Sequence, residues 1–280
     1  FVCPRRTEPG RRVITNRESR MVAILSNQRE VIFEAVQRMY TEVAAAPGRE
    51  FHFPTGRRAC EFVGYPADDL DLLPASAVES FAGVGYPFAA HVVRPGDVVL
   101  DVGSGSGTDT LIAARLVGPA GRVIGLDMTE AMLDKLRGNI ARAGVANIEV
   151  IAGNAESIPL PDASVDVVTT NGVINLVPDK SKAIREIARV LRPGGRLQMA
   201  DIVVQTLPSA ACRSHPELWA ECIVGATTEE SYLGEFKAAG IECLQVLNRS
   251  DYFAGSSSLE TRKVAGSFGA CSIVLRGEKP

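Results

Sequence analysis

Two acidic residues bracket the stretch of this sequence best suited to chemistry. Val98–Asp109 reads VVLDVGSGSGTD: an apolar run ends in Asp101, and Gly103, Gly105 and Gly107 follow at alternate positions. Glycines let the backbone pass close to a ligand where a Cβ would collide, and they tolerate positive φ. The spacing is G-x-G-x-G, whereas a dinucleotide fingerprint needs glycine at position 108, where Thr108 stands. A second apolar run, Arg122–Asp127 (RVIGLD), ends in another carboxylate. It lies about 20 residues beyond Gly107, the distance at which a strand–helix–strand unit brings an acid to a ribose hydroxyl pair. Paired carboxylates suit a ligand with positive charge and a diol better than one that presents pyrophosphate.

The elements that must hold these residues alternate along the chain. Apolar spacing predicts a helix over 27–43, stopped by Pro47-Gly48, then a loop-rich aromatic segment over 49–80 and a short helix within 81–97. Strand 98–101 leads through the glycine turn into helix 110–117, then strand 122–127, with Thr129 as N-cap of helix 130–143 and Gly144 as its stop. Strand 148–152 runs into Asn154 and Glu156, strand 165–170 into Asn171, and Asp179 caps helix 180–191. Strand 196–204, helix 228–239 and strands near 241–247 and 271–276 complete the pattern, the last two as an antiparallel hairpin around Ser256–Ser258. Alternating strands and helices predict an α/β fold with a mostly parallel sheet, and ligands of such sheets bind beyond the strands' carboxyl ends. Asp101, Asp127, Asn154, Glu156, Asn171 and Asp201 all fall there.

Composition narrows the classes further. The chain has 280 residues and a formal charge of −3, which gives no general attraction for nucleic acid or an anionic membrane. Apolar runs stop short of a membrane span. Six cysteines (Cys3, Cys60, Cys212, Cys222, Cys243 and Cys271) form no C-x-x-C pair, so no metal site is expected and the thiols read as free and cytoplasmic. His52, His91 and His215 are isolated, and no general base stands out. Residues 1–20 read as a disordered extension with Met21 as a natural start. Residues 21–97 read as an N-terminal helix and lid, and 98–280 as a core with a cap inserted at about 205–227, carrying Trp219 and Cys222.

The acid-flanked glycine turn resembles that of the S-adenosylmethionine (SAM)-dependent methyltransferases, with a Rossmann-like, seven-stranded sheet. Asn171–Lys180 (NGVINLVPDK), Val190–Val203 (VLRPGGRLQMADIV), Leu218–Ala226 (LWAECIVGA) and Gly83–Ala89 (GVGYPFA) are similar to the arsenite methyltransferases. The resemblance implies SAM as cofactor. Asp101, Gly103, Gly105, Asp127, Met128, Asn154, Ala155 and Asn171 fall on its cofactor positions, with Ser104 and Gly107 of the turn and Glu156 beside them. Asp109 is expected at the methionine end or as a brace for the first turn. The family holds trivalent arsenic through three cysteine thiolates. Cys60 and Cys222 match two of them, and Gly172 stands where the third would follow Asn171. Three functions stay open: methyl transfer to arsenic or another soft centre, methyl transfer to an organic O, N, C or S acceptor, and SAM binding without catalysis.

Overall fold

Side-chain alternation in β1 (Val98–Val102) sets the layers of the molecule. Val99 joins Val123, Val167, Leu111 and Ile112 in one buried cluster, while Leu100 and Val102 join Ile124, Leu126 and Ile184 in another. Both faces of the strand are therefore apolar, as a parallel sheet covered by helices on each side requires. The computed structural model describes residues 26–209 and 223–280, with side chains from Arg29 onward.

The remaining strands are β2 (Arg122–Asp127), β3 (Ile148–Ala152), β4 (Val165–Asn171), β5 (Leu191–Val203), β6 (Glu242–Ser250) and β7 (Cys271–Glu278). They form one sheet in the order β3-β2-β1-β4-β5-β7-β6. Pairing is parallel from β3 through β5, and β7 runs antiparallel to both β5 and β6. The chain reverses its direction of travel across the sheet between β1 and β4, which opens a crevice at their carboxyl ends.

The helices, in chain order, are α1 (Ser26–Ala45), α2 (Gly56–Phe62), α3 (Ala67–Asp71), α4 (Ala75–Val78), α5 (Thr108–Val117), α6 (Glu130–Ala143), α7 (Lys180–Val190), α8 (Glu229–Ala238) and α9 (Leu259–Phe268). Asp179 caps α7 as expected, its side chain accepting from Lys182 N at 2.9 Å. Thr129 occupies the N-cap of α6 without a side-chain cap bond; the Asp127 carboxylate accepts from Thr129 N instead.

Three local expectations need correction. Segment 49–80 is not merely loop: Pro66 and Pro74 sit at the N-caps of α3 and α4, cutting it into one- and two-turn helices. Strand β5 begins at Leu191 rather than Arg196, because Leu191 pairs with Val165 before residues 192–195 loop out and pairing resumes at Arg196. Strands β6 and β7 are an antiparallel pair but no hairpin, since α9 lies between them. Ser258 is the N-cap of α9, accepting from Thr261 N at 3.1 Å, and Gly269 closes the helix in the left-handed region. The extension expected over residues 1–20 and most of the expected cap, with Cys3, Cys212, Trp219 and Cys222, lie outside the described residues. No helix among the described residues is long and apolar enough to cross a membrane.

Candidate active site

The crevice at the β1/β4 switch is a cavity of about 940 Å³ of space between protein atoms, its open mouth included. Its floor is the turn after β1. Gly103 N and Ser104 N donate to Leu126 O at 2.7 and 3.0 Å, which bends the backbone back against β2. Gly103 has φ +76°, and a Cβ there would stand 2.2 Å from Val173 Cγ2. Gly105 has φ +52° with nothing within 4 Å of a Cβ, so its face is the open one that a ligand can approach.

Asp127 closes one end of this floor. Its carboxylate accepts from Gly105 N at 2.9 Å and Thr129 N at 2.8 Å, which ties the turn to the end of β2. Burial pushes its titration up, and the amides of Thr129 and Gly105 pull it back. Asp109, in the first turn of α5, closes the other end. Tyr65 Oη donates to Asp109 Oδ1, and Asn171 Nδ2 donates to Asp109 Oδ2 at 3.1 Å. Burial raises the titration of Asp109, and the Tyr65 and Asn171 bonds oppose that rise.

Asn171, the last residue of β4, is a hub. Its Oδ1 accepts from Val84 N at 2.8 Å and Gly85 N at 3.2 Å, while Nδ2 also reaches Tyr65 Oη at 3.0 Å and Gly85 O at 2.9 Å. Gly83 packs so tightly on this amide that a Cβ would lie 2.5 Å from Asn171 Nδ2. The remaining walls are apolar. Phe33, Val36 and Tyr40 of α1, Phe81 and Ala82, Met128 and Met132, and Val173, Leu176 and Val177 line them. Helix α1 is anchored across the mouth by Gln37 Nε2, which donates to Met128 O at 3.0 Å, and by the ion pair of Arg29 with Glu156.

A methyltransferase domain matches residues 94–240 of this chain. The chain belongs to that family. Among curated relatives, the arsenite methyltransferase of Halobacterium salinarum is 36% identical over 221 residues, covering 79% of this chain and 56% of that protein. The ubiquinone/menaquinone biosynthesis C-methyltransferase of Hahella chejuensis is 43% identical over 117 residues, 41% of this chain and 47% of that one. The crystal structure of an arsenic(III) S-adenosylmethionine methyltransferase from Chlamydomonas reinhardtii aligns with a TM-score of 0.57 at 30% identity. It covers 81% of this chain and 74% of that one. The chain spans about half the length of the curated relatives it matches.

The donor set of the cavity fits the cofactor expected from the sequence. Asp127 and Asp109 are the only charged side chains in the lining among the described residues, and both are anionic. The hydroxyl of Ser104 is buried in the floor without a hydrogen-bond partner among the described residues. Gly105 leaves room for close approach. A ligand with a diol, an ammonium and a sulfonium satisfies such a floor; a phosphate would be repelled from it.

Of the site residues expected from sequence, Gly103, Ser104, Gly105, Asp109, Asp127, Met128, Asn154, Ala155 and Asn171 line the cavity. Others do not. Alternation in β1 sends Asp101 to the α5 face, where Thr110 Oγ1 donates to it at 2.6 Å. Burial and the nearby Asp109 push its titration well above the ordinary range. Gly107 is a packing glycine at the N-cap of α5, where a Cβ would meet Leu136 Cδ1 at 2.4 Å. Glu156 turns away to Arg29 and accepts from Asp179 N at 2.9 Å. Asp201 shares the face of Met199 and Val203 and is held by Tyr232 Oη at 2.7 Å.

The largest correction concerns Cys60. It is fully buried in α2 among Tyr65, Leu70 and Phe81, off the cavity lining. Burial, helped by the charge of Asp109, drives its thiol strongly toward the neutral form, which is neither a nucleophile nor a metal ligand. Cys222 lies outside the described residues. Tyr65 reads from sequence only as one aromatic of the segment over 49–80, with no site role. Its partners Asp109 and Asn171 are 44 and 106 residues away, and no local pattern marks such a contact.

Proposed function

We propose that this chain is a SAM-dependent methyltransferase of the arsenite methyltransferase type that transfers a methyl group to a small-molecule acceptor in the cytoplasm. The observation that carries the reading is the glycine floor closed by two carboxylates without a basic partner among the described residues, opening on an apolar chamber. Bound there, SAM supplies a methyl carbon on a positively charged sulfur, so the leaving group is neutral. The chain's own residues bind and orient. Asp127 retains acceptor capacity for a diol beyond its two amide bonds, and Asp109 offers a charge to an ammonium. The walls from α1, Phe81 and Val173 exclude water and hold the acceptor close to the methyl carbon.

A second reading, an organic acceptor in place of arsenic, is favoured by one observation. The site that the resemblance gives to a third thiolate is Gly172, at φ +72°, with Val84 Cγ1 3.2 Å from where its Cβ would be. With Cys60 walled off as well, none of the described cysteines faces the chamber. One experiment separates the readings: incubation with SAM and either arsenite plus glutathione or a panel of phenols, amines and thiols, following S-adenosylhomocysteine. Product with arsenite supports the first reading, and product with organic acceptors alone supports the second. SAM binding without product from any acceptor leaves a binding module and sinks both.

A further inference from the structure

A buried carboxylate with no cation beside it needs an explanation, because desolvation alone costs such a group several kcal/mol. Asp109 is such a residue: its side chain lines the cavity, and among the described residues no basic group pairs with it. Only two neutral donors hold it, Tyr65 Oη on Oδ1 and Asn171 Nδ2 on Oδ2.

Both donors are held with little freedom. The Asn171 amide cannot turn over, because its oxygen is claimed by the backbone N–H groups of Val84 and Gly85, which leaves Nδ2 facing Asp109. Tyr65 follows Gly64, whose φ of +99° turns the chain after α2, and precedes Pro66 at the N-cap of α3. Tyr65 N donates to Cys60 O at 3.0 Å. Its ring is wedged edge-on against Phe81, centroids 5.1 Å apart, and against Tyr86 at 4.7 Å. A hydroxyl placed with this much backing is aimed rather than incidental.

We propose that Tyr65 and Asn171 are positioning residues for the cofactor: together they hold the Asp109 carboxylate toward the cavity, where it receives the ammonium of SAM's amino-acid end. The inference rests on the SAM reading above. The same Asn171 amide carries Val84 and Gly85, so the Asp109 carboxylate and the neighbouring wall of the chamber share one anchor. The titratable groups around Asp109 are Tyr65 and Tyr86 from the segment before β1, Cys60 from α2 and Asp101 from β1. None of these is a cation, which among the described residues leaves the positive charge for a ligand to bring.

The test is calorimetric, on the full chain, with Tyr65→Phe. That change keeps the ring and removes the hydroxyl. Two ligands are compared: SAM, and 5′-methylthioadenosine, which has the same nucleoside but no amino-acid end. Tyr65→Phe is expected to weaken SAM about tenfold, the loss of one hydrogen bond to a charged group, and to leave methylthioadenosine within twofold. The pH below which SAM affinity falls is expected to move upward, because Asp109 loses a donor that favours its ionised form. Asp109→Asn is the second variant: it is expected to lose SAM affinity selectively, and adding Tyr65→Phe to it is expected to change little further. Equal weakening of both ligands, or an unchanged SAM affinity, overturns the inference. Failure of the unaltered chain to bind SAM at all overturns the underlying reading instead.

Discussion

Asp109 and Asp201 are both buried carboxylates near the carboxyl edge of the sheet, and their surroundings assign them opposite roles. Asp201, fully buried in β5, accepts from Asn175 N at 3.2 Å, Asn175 Nδ2 at 2.8 Å, Tyr232 Oη at 2.7 Å and Ile202 N at 2.8 Å. Those donors tie β5 to the 3₁₀ turn Ile174–Leu176 and to α8, and they leave no lone pair for a ligand. Asp109 takes two donors and faces open space. A strand-end acid is thus not a site residue by position alone; what matters is whether the fold has already satisfied it.

That contrast can be broken by substitution. Asp201→Ala strands buried donors and is expected to cost about 3 kcal/mol, a fall in Tm of roughly 5 °C, with SAM affinity of the folded protein unchanged. Asp109→Asn is expected to leave the Tm nearly unchanged and to weaken SAM by about 2 kcal/mol, roughly 30-fold. Thermal melts and calorimetry on the two variants check this, and a SAM defect in Asp201→Ala would erase the distinction.

Protonation sharpens the same comparison. Burial pushes Asp201 up to about 6, and its hydrogen bonds only partly offset this. The folded value lies above the unfolded one, so the ionised group opposes folding at neutral pH. That penalty is relieved as pH falls below about 6. Asp109 is also raised by burial, but a cationic ligand needs it ionised. SAM affinity is therefore expected to fall as pH drops through its raised titration, and to lose that dependence in Asp109→Asn. Affinity measured from pH 8 to pH 5 in the two proteins decides the point.

Two glycines isolate the floor from ordinary backbone strain. Gly105 (φ +52°) and Gly144 (φ +65°) both have open space around a Cβ. Alanine at either is expected to cost about 1 kcal/mol of stability, but only Gly105→Ala should weaken SAM, because its methyl enters the cavity. The smallest effect on turnover is expected from Cys60→Ala, which removes a buried thiol from an apolar cluster. A loss of about 1 kcal/mol in stability with unchanged methyl transfer is the expected outcome. Lost arsenite turnover in a protein of near-native stability would restore Cys60 to the site.

Much of the fold was legible because its signals are local. Strands 122–127 and 148–152 and helix 130–143 match the observed bounds, since each carries apolar periodicity and a stop such as Gly144. Helix α9 is the exception: Ser258 and Gly269 mark its ends, but the serine run around Ser258 reads equally as a loop. The glycine floor and Asp127 were readable, being adjacent in sequence to the strands that position them. Strand-end location does not say which face a side chain takes, so Asp101, Glu156 and Asp201 fall at the expected edge yet turn to Thr110, Arg29 and Tyr232. Tyr65 and the apolar walls from α1 come from chain segments far from the turn, and only the folded chain brings them to it.

The most direct test of the paired-acid cavity is a calorimetric titration of SAM into this protein and into Asp127→Ala and Asp109→Asn variants. The account predicts one site per chain, weakened by both substitutions while the proteins remain folded. Absence of binding to the unaltered chain, or binding indifferent to the loss of either carboxylate, would contradict it.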